Sequence, residues 1–120
     1  MHKIAENGII TLVAGDSMLT TLQITYTDNL GVEQVYKISE SDTVYFSLME
    51  PHQSFENGIV RKIYTKKNTD RLGNIIVHLT AEDTENLHTG TYYYEIKFTT
   101  KVNGTQYADT LVPKCKFFII

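Results

Sequence analysis

The chain has 120 residues, 42% of them hydrophobic and 21% charged, with a net charge of −3. That length fits one domain, residues 1–120, and a core that needs no metal or disulfide staple, so disorder is not the default expectation. The acidic balance argues against nucleic acid as a partner, because phosphate binding relies on a basic field.

Taken in chain order, the apolar residues recur mostly with a period of two, the signature of strands. Residues 9–13 form a first short run, closed by the turn Ala14-Gly15-Asp16. Leu22, Ile24 and Tyr26 then alternate with Thr21, Gln23 and Thr25. The turn Asp28-Asn29-Leu30-Gly31 leads to residues 34–38. Val44, Phe46 and Leu48 face one way, with Tyr45, Ser47 and Met49 on the other side. Asn57-Gly58 reads as a hairpin turn into residues 59–65, and Leu72-Gly73-Asn74 as a turn into the run Ile75, Val77, Leu79.

One segment breaks the rhythm. From Thr80 to Leu87 the pattern predicts a short helical turn, with Thr80 as N-cap, Asp83 as the capping acid, and Glu82, Asp83 and Glu85 favouring the positive helix start. Gly90 redirects the chain into the clearest strand, residues 91–100. There Tyr92, Tyr94, Ile96 and Phe98 share one face, against Tyr93, Glu95 and Lys97. Such alternation suits an antiparallel strand with one dry side. Asn103-Gly104 makes a second hairpin turn, outweighing its match to a glycosylation acceptor, and residues 106–112 and Cys115/Phe117/Ile119 close the chain as strands. The expectation is an all-β fold, an antiparallel β-sandwich of about eight strands with one short helical turn near residues 80–87.

Catalytic and metal-binding patterns are missing. His2, His52, His78 and His88 lack the mutual spacing of a metal site, and the single cysteine allows neither a zinc framework nor an internal disulfide. His78 is predicted on the solvent side of its strand. Cys115 is predicted buried among apolar neighbours, an unreactive thiol. The acids Glu82, Asp83 and Glu85 are explained by the helix start, and no phosphate-cradling glycine loop is present. No cofactor and no enzymatic activity are expected. The first eight residues lack the apolar stretch of a signal peptide, and no apolar run approaches a membrane span, so the expectation is a chain made in a reducing cytoplasm and not inserted in a membrane.

What remains is surface. Residues 1–58 carry eight acids against Lys3 and Lys37, whereas residues 59–120 carry nine bases and six acids. A molecule with this asymmetry can pack head to tail with its own copies, although charges that only solvate strand faces give the same count. The densest basic stretch is Arg61, Lys62, Lys66, Lys67 and Arg71, read either as a cradle for an anionic partner or as a hairpin whose lysines discourage edge pairing. Tyr45, Tyr93 and Tyr64 are predicted to point outward, and period two leaves Phe118 and Ile120 to be covered by a second core layer or by another subunit. The possible interface residues are therefore Tyr45, Tyr93, Phe118, Ile120, Arg61, Lys66, Lys67 and Arg71.

The block from Val77 to Ile96 runs a strand into Leu79-Thr80-Ala81-Glu82-Asp83-Thr84-Glu85-Asn86-Leu87 and then into Gly90-Thr91-Tyr92-Tyr93-Tyr94-Glu95-Ile96. It resembles the N-terminal domain of phage baseplate upper proteins and related phage tail structural proteins. The opening Ala14-Gly15-Asp16-Ser17, the central Val44–Leu48 and the closing Lys116-Phe117-Phe118-Ile119 are similar to that family in the same order. The resemblance implies an immunoglobulin-like sandwich, location in the virion after synthesis in the bacterial cytoplasm, and other virion proteins or further copies of the chain as partners. It brings no catalytic residues. Ending after the last strand, the chain is expected to be a stand-alone virion piece or a fragment of a longer one. The alternative is a carbohydrate-binding or adhesion module of a bacterial surface protein; the lack of tryptophan weakens it, since sugar platforms favour large flat rings.

Overall fold

A computed structural model describes residues 2–4 and 8–120; the side chain of His2 and most of the opening stretch weighed for a targeting signal lie outside the described residues. The strands are β1 (His2–Ile4), β2 (Ile10–Leu12), β3 (Met18–Leu22), β4 (Thr25–Thr27), β5 (Glu33–Val35), β6 (Thr43–Met49), β7 (Val60–Tyr64), β8 (Ile75–Leu79), β9 (Gly90–Val102) and β10 (Thr105–Ile119). One four-residue helix, α1 (Ala81–Thr84), joins β8 to β9.

Six strands form one sheet in the order β1-β2-β10-β9-β6-β7, β3 pairs with β8, and β4 pairs with β5. The β3–β8 pair covers the inner face of the large sheet. Met18, Ile75, Val77 and Leu79 join Phe46, Leu48, Tyr94 and Phe117 in one buried cluster. This is an immunoglobulin-like sandwich, with β6, β9 and β10 in the places of strands C, F and G, and β3 with β8 in those of B and E. The inner faces of β6 and β9 follow the predicted alternation: Val44, Phe46, Leu48, Tyr92, Tyr94, Ile96 and Phe98 are all buried. One pairing departs from the antiparallel expectation. β2 runs parallel to β10, with Ile10 opposite Phe117 and Leu12 opposite Ile119.

The crossing from β8 to β9 is built as its sequence predicts. The Thr80 hydroxyl accepts from the Asp83 amide, and Asp83 Oδ2 accepts from the Thr80 amide at 2.7 Å, a complete capping box. Thr84 anchors this turn to the loop just before β3, accepting from the Gly15 amide at 3.1 Å and donating to the Asp16 carbonyl at 2.8 Å. The Tyr92 hydroxyl donates to the His88 carbonyl at 2.8 Å, four residues upstream at the mouth of strand F. That is the tyrosine corner of immunoglobulin-like domains.

Several expectations are corrected. The run from Leu22 to Tyr26 is not one strand. β8 begins at Ile75, opposite Leu22, so β3 has no partner further on, and the chain turns away to pair β4 with β5. Tyr26 is consequently half exposed. Residues 106–112 and 115–119 belong to one long strand, whose ladder shifts register at two places around Pro113. The predicted Asn57-Gly58 hairpin turn is instead the end of a 3-10 helix, Phe55–Asn57, in a loop that the Ser47 hydroxyl ties to β6 by donating to the Phe55 carbonyl. Tyr64 points inward, not outward, and its hydroxyl bonds both the carbonyl and the amide of His78, tying β7 to β8 across the sandwich. His78 itself is solvent-facing, as expected, whereas Cys115 is only half buried.

Candidate functional site

The feature that stands apart from the sandwich is an arm. Asn103 and Gly104 both take positive φ, +52° and +81°, so β9 and β10 turn back through a two-residue hairpin of the type that asparagine-glycine favours. β6 accompanies β9 only as far as Thr99, and β2 meets β10 only from Phe117 to Ile119. Between these limits the ribbon runs on alone. Residues 101–110 are all exposed, and β10 has a neighbour on one edge only.

Beside the arm stands the β4–β5 hairpin. Its turn is closed by Asp28 Oδ1, which accepts from the amides of Leu30 and Val32 at 2.9 and 3.0 Å. Between arm and hairpin lies a groove of about 620 Å³, lined by Tyr26, Val35, Tyr36, Phe98, Leu111 and their neighbours. Phe98, Thr100, Tyr107 and Asp109 occupy facing positions on the arm, on the same side as the core residues Tyr94 and Ile96. The groove is thus the dry face of the large sheet continued beyond the reach of the β3–β8 layer.

An aromatic row stiffens its floor. Tyr26 meets Tyr36 edge to face at 6.4 Å, and Tyr36 meets Phe98 the same way at 5.6 Å. The Tyr36 hydroxyl donates to Asp42 Oδ2 at 2.8 Å, and the same oxygen accepts from the Ser39 amide at 2.7 Å. Asp42 is 1% exposed. Its Oδ1 has no partner of regular hydrogen-bond geometry, although the Thr100 hydroxyl is near enough to favour the charged carboxylate. Burial pushes the Asp42 carboxyl up, but the bonds from Thr100, Ser39 and Tyr36 together outweigh it and hold the group below the usual carboxylate value of 3.8. Burial pushes the Tyr36 hydroxyl up, and Asp42 adds to that shift.

A second carboxylate, the half-buried Asp83, makes a clamp of its own. Lys62 reaches it at 2.9 Å, so this lysine leaves the basic stretch to bridge β7 and α1. Burial raises Asp83, and the bonds from Lys62 and the Thr80 amide overcome it, leaving the carboxyl lowered. Both acids therefore bind a proton less readily folded than unfolded. Their contribution to stability is complete above the ordinary value near 3.8 and is lost as pH falls below it through their folded values. The urea midpoint is expected to hold steady with respect to these two groups from neutrality to about pH 5 and to drop below about pH 4. Asp42→Asn should flatten that acid limb, and an unchanged limb would contradict the role given to Asp42.

The residues singled out from sequence are scattered. Tyr45 and Tyr93 lie half buried on the outer face of the large sheet, Tyr93 under the Lys114 ammonium at 5.0 Å. Lys97 stands 4.6 Å over the Phe55 ring on the same face. Phe118 is half covered between β2 and β9, and Ile120 is 59% exposed although its backbone bonds Leu12 and Ala14. Arg61, on β7, and Lys66, Lys67 and Arg71, on the crossover from β7 to β8, are exposed and do not share a hairpin. Lys66 and Lys67 belong to a 3-10 turn and Arg71 to the loop closed by Asp70. Among the described residues no ion pair or hydrogen bond joins these four side chains to one another. The groove residues were missed because its floor is contributed by strands read as ordinary core. The available signal was Tyr107 and Leu111 beside the Asn103-Gly104 turn, in a strand too long for the sandwich.

Among the described residues no group of histidine, cysteine or acidic side chains is placed to hold a metal, and no helix is long and apolar enough to cross a membrane. Fold and groove define the molecule structurally as an immunoglobulin-like β-sandwich with a projecting two-stranded arm. Comparison with protein-family models, curated proteins and solved structures gives no match for the chain.

Proposed function

We propose that this domain is a non-enzymatic structural module of a phage or prophage tail or baseplate, acting by docking to other virion proteins. The observation that carries the reading is the uncovered continuation of the dry face along the arm. Tyr26, Val35, Val102 and Tyr107 are each about half exposed there, around a groove with a rigid aromatic floor. Large side chains held in fixed positions at low entropy cost are what a protein interface uses. The likeness of residues 77–96 to baseplate upper proteins supplies the setting, and the capping box and tyrosine corner within that block give it a structural purpose.

The test is direct. The gene is tagged in a lysogen that carries it, the prophage is induced, and purified particles are analysed by mass spectrometry. The tagged chain is expected in the particles at a fixed ratio to the other tail proteins. Its absence from particles that assemble and infect normally would refute a virion role.

A further inference from the structure

We infer that the arm groove is a self-association surface, in which a second copy of this chain packs its own arm against the first about a two-fold axis. Two observations on the groove carry this. The first is the missing layer. The inner side of the arm, with Phe98, Tyr107 and Leu111, continues the core face, yet only the short β4–β5 hairpin approaches it. Covering it calls for another flat apolar element of similar width, and the arm of a second copy is one.

The second observation is charge. Lys37, just after β5, and Asp109, on β10, line opposite walls of the groove. Both are exposed, and among the described residues neither makes an ion pair or side-chain hydrogen bond. A partner that covers the groove partly dehydrates both, and one that brings an opposite charge to each offsets that cost. A two-fold contact does so without further requirements. The axis places Asp109 of each copy against Lys37 of the other, since an isologous interface pairs i with j and j with i. The open edge of β10 along the arm lies beside this contact and is shielded by it, which removes a hazard of unpaired strand edges. Two grooves and two narrow arms still make a small interface, so the dimer is weak and concentration-dependent.

This pairing rests on the docking role proposed above, but its test is separate. Sedimentation equilibrium of the purified chain over a concentration series is expected to show a monomer–dimer equilibrium. Lys37→Asp and Asp109→Lys each place like charges across the axis and should weaken association about tenfold or more. Mixing these two variants should restore a dimer, because each supplies the charge that the other lacks. Circular dichroism serves as the control for folding, and both positions are solvent-facing. A wild-type chain that stays monomeric at the highest concentration, or a mixture no more associated than the separate variants, overturns the inference. A monomer found at fixed ratio in purified particles would leave the virion role standing and assign the groove to a different protein.

Discussion

Phe117→Ala is expected to destabilise the fold by about 4 kcal/mol, the range for truncating a fully buried aromatic ring. Phe117 has no exposed surface, and its ring meets Tyr94 edge to face at 6.0 Å. It also stands where three strands converge, opposite Ile10 of β2 and Tyr92 of β9. The β2–β10 ladder has three residue pairs, of which Phe117–Ile10 is the first. Losing the ring leaves a cavity at that seam, so protection of the β2 amides in hydrogen exchange should fall along with the urea midpoint. Phe118→Ala, one residue on and half exposed, is the control and should cost clearly less. Equal losses from both would mean that the inner face is not where the structure puts it.

Gly58→Ala is expected to cost about 3 kcal/mol, for a reason unrelated to backbone freedom. Gly58 has φ −57° and ψ 147°, a conformation open to any residue. An added Cβ would instead collide with Ser47 Oγ and lie 2.8 Å from the Leu48 carbonyl oxygen. Ser47 Oγ cannot retreat cheaply, because it is fully buried and donates to the Phe55 carbonyl at 2.7 Å. Adding Ser47→Ala removes one collision and leaves the backbone one, so the double variant should recover part of the loss and no more. Complete recovery in a double-mutant cycle would place the constraint on the hydroxyl alone.

Legibility followed the range of the interactions involved. The β9 face, the capping box at Thr80 and the hairpin turn at Asn103-Gly104 each depend on residues within a few positions of one another, and each stands where the sequence pattern puts it. Tyr64 defeated the pattern because its partner, His78, lies on another strand. Lys62 did so because the acid it meets, Asp83, is 21 positions away. Met49 shows a further limit: alternation assigned it to the face opposite Val44, Phe46 and Leu48, yet it is buried as fully as they are.

By itself, then, the sequence determined that this is a two-layered β-domain, which residues of β6, β8 and β9 line its interior, and how the chain crosses from β8 to β9. Those features follow from side-chain period and from hydrogen bonds between near neighbours. The tertiary structure alone decided where the second layer stops, and therefore that the arm's apolar side is left open beside Lys37 and Asp109. The physical reason is that an apolar strand face looks identical in sequence whether or not another layer arrives to cover it; cover is a matter of strand length and pairing register between segments far apart in the chain.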